Sequence, residues 1–281
     1  LYQTFINEAY YYNNTFSSFY YSDYKNLFFD NDYKIEVVGN LTSLNKKNGV
    51  KMIQYNVKNK RNNITILSIK GTSYKRDIYL DAQLYFPSIL LHILNVFSTL
   101  DQQKEKYSFK FIEYGLSIPY RIFFQFSLID DYLRELREVY KDNLDKHKFY
   151  ENIVLVGHSL GGGLAKLFGK LIKKQAISLS GPGVNAFHSL WKYEGNSSNF
   201  DLTSIDIIPD SDLVPRVEIS GVTIYRILCP KTPLECHSKE LSLCESLVIC
   251  RNPNAREYCS RIAGLDNDDD INLIYNNSKF N

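Results

Sequence analysis

Ile153-Val154-Leu155-Val156-Gly157-His158-Ser159-Leu160-Gly161-Gly162-Gly163 is the stretch on which the fold of this chain turns. Four consecutive apolar residues suit a strand buried on both faces of a sheet. The glycines interrupt that run, and Leu164, Ala165, Leu167, Phe168 and Leu171 then recur at helical spacing. Just upstream, Leu128, Ile129, Tyr132, Leu133, Leu136, Val139 and Tyr140 share one helical face opposite Arg, Glu, Asp and Lys, which predicts a helix over 128–144. Helix, buried strand, glycine turn and helix together predict an α/β sheet with a parallel crossover. Farther upstream, Tyr33–Val38, Val50–Val57 and Ile64–Lys70 are rich in β-branched residues and separated by Asn, Lys and Gly. They read as antiparallel hairpin strands.

A bare G-x-S-x-G carries little weight, but here it follows an apolar strand and opens a helix. That context puts Ser159 on a sharp turn with its hydroxyl above the sheet edge. Gly157 and Gly161 leave room for strand and helix to approach, and the helix N-terminus favours negative charge developing beside the hydroxyl. A phosphate-binding Walker loop is excluded, because no Lys-Ser/Thr follows the glycines.

Composition bounds the remaining possibilities. The chain has 281 residues, 44% of them hydrophobic, which is ample for a large core. A net charge of +2 gives no electrostatic case for binding nucleic acid. No run reaches 18 apolar residues, so no membrane-spanning helix is expected, although a peripheral membrane contact stays open. A single domain over 1–265 is expected, with an acidic and polar tail over 266–281. Leu1 opens the chain, so no targeting segment is expected within it.

All five cysteines (Cys229, Cys236, Cys244, Cys250 and Cys259) fall between residues 229 and 259. None forms a C-x-x-C pair, which argues against zinc and for disulfides, with at least one thiol left over and the pairing open. Disulfides point to an oxidising compartment: secreted, vacuolar or lysosomal, or membrane-lumenal. Five Asn-x-Ser/Thr sequons, at Asn13, Asn40, Asn63, Asn196 and Asn276, are compatible with a glycoprotein.

Gly157-His158-Ser159-Leu160-Gly161-Gly162 resembles the G-H-S-L-G-G signature of the class 3, or fungal-type, lipases. Ile69-Lys70-Gly71-Thr72-Ser73 is similar to that family's segment supplying an oxyanion donor, Asp77-Ile78-Tyr79-Leu80-Asp81 to the acidic pair that follows, and Asp212-Leu213-Val214-Pro215-Arg216 to the stretch carrying the triad acid. The resemblance implies an α/β-hydrolase fold: a mostly parallel central sheet flanked by helices, with N-terminal antiparallel hairpin strands. It also implies a serine hydrolase working without metal or cofactor. Its triad follows the chain order Ser, acid, His. After Ser159 the candidate acids are Asp206, Asp210 and Asp212, and the candidate histidines are His188 and His237. Order selects His237, because His188 precedes all three acids, and the Leu213-Val214-Pro215 run selects Asp212. The interval between them is short for the fungal members, but Cys236-His237-Ser238, with Cys229 before and Cys244 after, resembles the cysteine-rich histidine loop of some protist members, which implies such a loop over about 229–259. A surface histidine among disulfides is the alternative. His158 is read structurally, pointing away from Ser159 across the strand pleat, and His92 as a packing residue.

For the tetrahedral oxygen, Leu160 N–H and Thr72 N–H are the expected donors, with Asp81 supporting the Thr72 turn. The resemblance further implies a lid, for which Tyr74–Phe86 is the candidate, while Pro87 onward has the spacing of a buried helix. Tyr114–Phe126 could line an acyl pocket. Lipid ester hydrolysis, of tri- or diacylglycerols, is the leading expectation. A phospholipase A-type esterase and a catalytically idle lipid-binding protein are the alternatives.

Overall fold

The computed structural model of the chain describes residues 34–42, 51–58, 63–71, 128–144, 149–184, 204–216, 223–252, 255–263, 271 and 274. Among these, seven strands form one sheet: β1 (Lys34–Thr42), β2 (Lys51–Lys58), β3 (Asn63–Ile69), β4 (Asn152–His158), β5 (Gln175–Leu179), β6 (Ser204–Pro209) and β7 (Thr223–Ile227). Their spatial order is their chain order. β1, β2 and β3 pair antiparallel, and every pair from β3 to β7 is parallel. The expected α/β class, with antiparallel strands leading a mostly parallel sheet, is the one observed.

Two strands run longer than their apolar patterns indicate. β1 continues past Val38 to Thr42, with its register against β2 shifting between Val37 and Gly39. A bulge absorbs one residue there, so pairing resumes where strict alternation would have ended it. β4 extends through Gly157 and His158, opposite Ser178 and Leu179 of β5.

The helix expected over 128–144 is α1 (Leu128–Leu144), and α2 (Leu160–Ile172) springs from the glycine turn. Both cover one face of the sheet. Leu133 and Leu136 of α1 and Leu164 and Phe168 of α2 join Leu67, Ile153 and Leu155 in one buried cluster. Tyr140 packs edge-on against Phe168, ring centroids 5.8 Å apart. Val154 and Val156 belong instead to the opposite cluster with Tyr55, Ile66, Ile177 and Leu179. Ile153–Val156 is therefore apolar throughout because its odd and even members fill different cores. Each such side chain contributes about 1.5–3 kcal/mol on burial.

The cysteine-rich stretch, expected as a loop, is largely helical: α3 (Pro233–Cys236), α4 (Lys239–Ile249) and α5 (Ala255–Ala263). Its local sequence accounts for the difference. Thr232 and Glu235 form a capping box around Pro233, and Ser238 caps α4 by accepting from the Leu241 N–H. Disulfides join Cys229 to Cys236 and Cys244 to Cys259, leaving Cys250 as an exposed free thiol. The bridges sit in a third buried cluster with Leu241, Leu247, Val248 and Tyr258. No helix among the described residues is long and apolar enough to cross a membrane.

Candidate active site

The carboxyl ends of β3 to β6 lie along one edge of the sheet, where open α/β proteins place their ligand sites. At the tip of β4, Ser159 holds φ 55° and ψ −129°. Such a backbone costs a non-glycine residue on the order of 1–3 kcal/mol and persists only where its surroundings fix it. Here its N–H donates to Leu179 O at 3.0 Å, and its carbonyl accepts from the Gly162 and Gly163 N–H groups at 2.9 and 3.2 Å. The turn also needs close contact on both flanks. A Cβ on Gly157 would stand 2.1 Å from Gly161 O, and one on Gly161 would stand 2.3 Å from Ile69 O. Only glycine allows the first turn of α2 to press against β3 and β4 in this way. Leu160, fully buried, heads α2, so its N–H lies in the first turn beside Ser159, where helical N–H groups have no partner within the helix.

His237 ends α3 and faces that turn. Its Nε2 lies 3.0 Å from Ser159 Oγ, and its Nδ1 lies 3.1 and 3.0 Å from the two Asp212 carboxylate oxygens. A carboxylate can only accept, so Nδ1 carries the proton and donates, leaving Nε2 as acceptor for the Ser159 hydroxyl. Asp212 is fully buried and takes a further hydrogen bond at Oδ1 from the Val214 N–H at 2.9 Å. The structure thus brings together Ser159, His237 and Asp212 in the expected chain order.

The other two acids point elsewhere. Asp206, inside β6, is buried against Lys166 of α2, Nζ to Oδ1 3.1 Å. Burial raises its carboxyl above the usual range, and the Lys166 charge works against that rise. Asp210 lies at the surface, 3.8 Å from Arg226, while its carbonyl accepts from Arg216. Its N–H donates to Ile227 O, which fixes the turn leading to Asp212.

His158 differs from its expected orientation. It is buried, its Nε2 is 2.8 Å from the His237 carbonyl, and the two imidazoles lie with centroids 4.9 Å apart and a 40° tilt. The pleat argument fails because Ser159 has left the strand and turned back. Burial, reinforced by the neighbouring His237, lowers the His158 pKa to about 3. A second titratable group is not legible from the sequence. Glu245 of α4 is fully buried, and neither carboxylate oxygen has a hydrogen-bond partner among the described residues. Burial foremost, then Asp210 and Asp212, raises its pKa to about 9, so it is a neutral acid at ordinary pH. Its only sequence signal is one acidic residue between Leu243, Cys244 and Leu247.

The Cys229–Cys236 bridge ties the residue before His237 to the chain leaving β7. Ser211 Oγ donates to Cys229 O at 3.3 Å, joining that anchor to the Asp212 turn. Among the described residues no cluster of His, Cys, Asp or Glu is arranged to hold a metal ion. Thr72, Asp81, the lid candidate 74–86, the helix candidate from Pro87, the pocket candidate 114–126, His92 and His188 all lie outside the described residues.

The sequence profile described as "Lipase (class 3)" matches residues 66–220, a span that includes Ser159 and Asp212 and ends before His237. No individual curated protein matches the chain in sequence. Among solved structures, Lip2 lipase from Yarrowia lipolytica is 15% identical with a TM-score of 0.35, over 70% of this chain and 66% of that one. Lipase II from Rhizopus niveus is 16% identical with a TM-score of 0.30, over 65% and 60%. A Rhizomucor miehei lipase propeptide complex is 10% identical with a TM-score of 0.28, over 74% and 64%. The chain spans less than two thirds of the length of each of these three.

Proposed function

The chain belongs to the class 3 lipase family, and from that premise we propose that it hydrolyses carboxylic esters of lipids, tri- or diacylglycerols foremost, through an acyl intermediate on Ser159. The observation that carries this reading is the continuous relay from Ser159 Oγ through His237 to the buried Asp212, at 3.0 Å on both sides of the imidazole. In the proposed reaction Ser159 Oγ attacks the ester carbonyl carbon while His237 Nε2 takes the hydroxyl proton. Asp212 holds the imidazole in the tautomer that presents a lone pair to Ser159, and it stabilises the imidazolium that forms. The tetrahedral oxygen is held by the N–H groups of Leu160 and Thr72, with Asp81 supporting the Thr72 turn. His237 then protonates the departing alcohol. A water, deprotonated by the same nitrogen, repeats the sequence on the acyl-enzyme and returns Ser159 to its hydroxyl form.

The two disulfides support residence in an oxidising, secretory compartment. Asn63, exposed at the start of β3, is a sequon position open to a glycan there. Contact with a lipid–water interface completes the proposal.

A fluorophosphonate probe tests the chemistry. Labelling of the wild type that disappears in Ser159→Ala supports an activated serine, whereas a folded wild type that never labels favours an idle lipid-binding protein. Hydrolysis rates on triacylglycerol, diacylglycerol, phosphatidylcholine and short p-nitrophenyl esters, with and without an emulsion surface, then test the substrate class. Preference for phosphatidylcholine would replace the acylglycerol assignment with a phospholipase A-type one.

A further inference from the structure

We propose that His158 is a positioning residue that fixes the spacing of Ser159 and His237 by holding the main chain of His237. This rests on the roles just assigned to those two residues. The contact has one chemical sense: a carbonyl oxygen only accepts, so His158 Nε2 carries the proton and donates to His237 O at 2.8 Å. His158 is also the residue before Ser159, at the last position of β4. The two facts close a short circuit. It runs from Ser159 through one peptide bond to His158, across the hydrogen bond to the His237 carbonyl, and back through the His237 imidazole to Ser159 Oγ at 3.0 Å. Any drift of α3 away from the sheet must stretch that circuit.

The other backbone bond of His237 cannot do this work, because its N–H donates to Leu234 O at 3.3 Å within the same short helix. Ring packing adds to the hydrogen bond. With centroids 4.9 Å apart, the buried His158 imidazole backs the His237 ring and excludes water from that side. Its depressed pKa, about 3, keeps it a neutral donor throughout the working range, so it never becomes a second cation beside the His237 imidazolium. A buried pair of like charges would cost heavily at short range.

The experiment compares His158→Leu, which removes the donor, with His158→Gln, whose carboxamide N–H reaches nearly the position of the imidazole Nε2, and His158→Asn, whose shorter amide does not. Steady-state hydrolysis of a short p-nitrophenyl ester, the rate of fluorophosphonate labelling and thermal melting are measured on each. His158→Leu and His158→Asn should lose on the order of 100-fold in kcat with KM within about twofold, since a misplacement near 1 Å has that effect on a positioned reaction. Labelling should slow in parallel, and His158→Gln should recover about tenfold or more. The inference is overturned if Gln and Asn lose kcat equally, if His158→Leu keeps wild-type kcat, or if the losses follow only the unfolded fraction. If His158→Leu does not fold, the Gln and Asn pair decides alone. A wild type that neither labels nor hydrolyses overturns the parent reading and this one with it, whereas an active wild type with indifferent His158 variants overturns this one alone.

Discussion

Removing the Cys229–Cys236 bridge should damage turnover far more than it damages folding, and the Cys244–Cys259 bridge provides the control. The bridges span 7 and 15 residues. Loop-closure entropy for those lengths gives about 2.4 and about 3.0 kcal/mol of stabilisation at 25 °C. On stability alone, then, Cys244→Ala/Cys259→Ala should be slightly the worse variant. A domain holding about 5–15 kcal/mol remains almost wholly folded after either loss. The site reverses the order. Cys236 immediately precedes His237, and its bridge binds α3 to Cys229, whose carbonyl also receives Ser211 from the Asp212 turn. Without that bridge, α3 loses its covalent tie to the chain leaving β7 and is held at Ser159 by hydrogen bonds and packing, and a displacement of about 1 Å is worth roughly 100-fold in rate. Melting temperature and ester hydrolysis, corrected for folded fraction, should therefore separate the two: Cys229→Ala/Cys236→Ala loses at least tenfold in kcat, while the other double variant keeps kcat within about twofold. Equal kcat losses in both, or an unchanged kcat in Cys229→Ala/Cys236→Ala, would refute the anchoring argument.

Two further outcomes concern buried charge. Glu245, with its pKa near 9, contributes stability that is complete below about pH 4.5 and is lost as pH rises toward 9. The slope is about 1.4 kcal/mol per pH unit, so Glu245→Gln should melt higher than the wild type at pH 8 and show a flatter pH dependence; parallel curves for the two proteins would contradict it. Lys166→Met strands the Asp206 carboxylate and should cost about 3–5 kcal/mol at neutral pH, less in acid as the carboxyl protonates. Lys166→Met/Asp206→Asn should regain most of it in urea unfolding, and a double variant no more stable than the single would show that the pair is not what holds α2 to β6.

The apolar run Ile153–Val156 and the helical spacing around it were enough to anticipate the central strand and its two helices, because both features depend on local periodicity. What lay beyond periodicity was less legible. Three aspartates stand within seven residues, and chain order with the Leu213-Val214-Pro215 run favoured Asp212. The partner that occupies Asp206 is a lysine that shares its helical face with Gly162, Gly163 and Lys170, away from the Leu164, Phe168 and Leu171 stripe, so a sequence reading would place it in solvent. The helices of the cysteine stretch have their signals in the caps Thr232, Pro233, Glu235 and Ser238, which are local and short, while the closely spaced cysteines favour a cross-linked loop on sequence alone. The direction of His158 is not legible in the sequence for a geometric reason: alternation across the pleat ends where Ser159 takes a positive φ, so a neighbour's direction no longer follows from the strand.

The parallel pairing of β3 with β4 also bears on how the chain is made. Ile64 lies opposite Asn152, so β3 is synthesised about 90 residues before its partner strand. At translation speeds of about 5–20 residues per second, one edge of the β1–β2–β3 meander stays open for roughly 5–20 s. That edge ends in Ile66, Leu67 and Ile69, all fully buried in the finished sheet. The nascent chain thus carries an unpaired, apolar strand for seconds, a natural template for wrong pairing. Yield during expression should accordingly respond to translation rate and to chaperones that mask extended segments, even where the stability of the finished protein is unchanged.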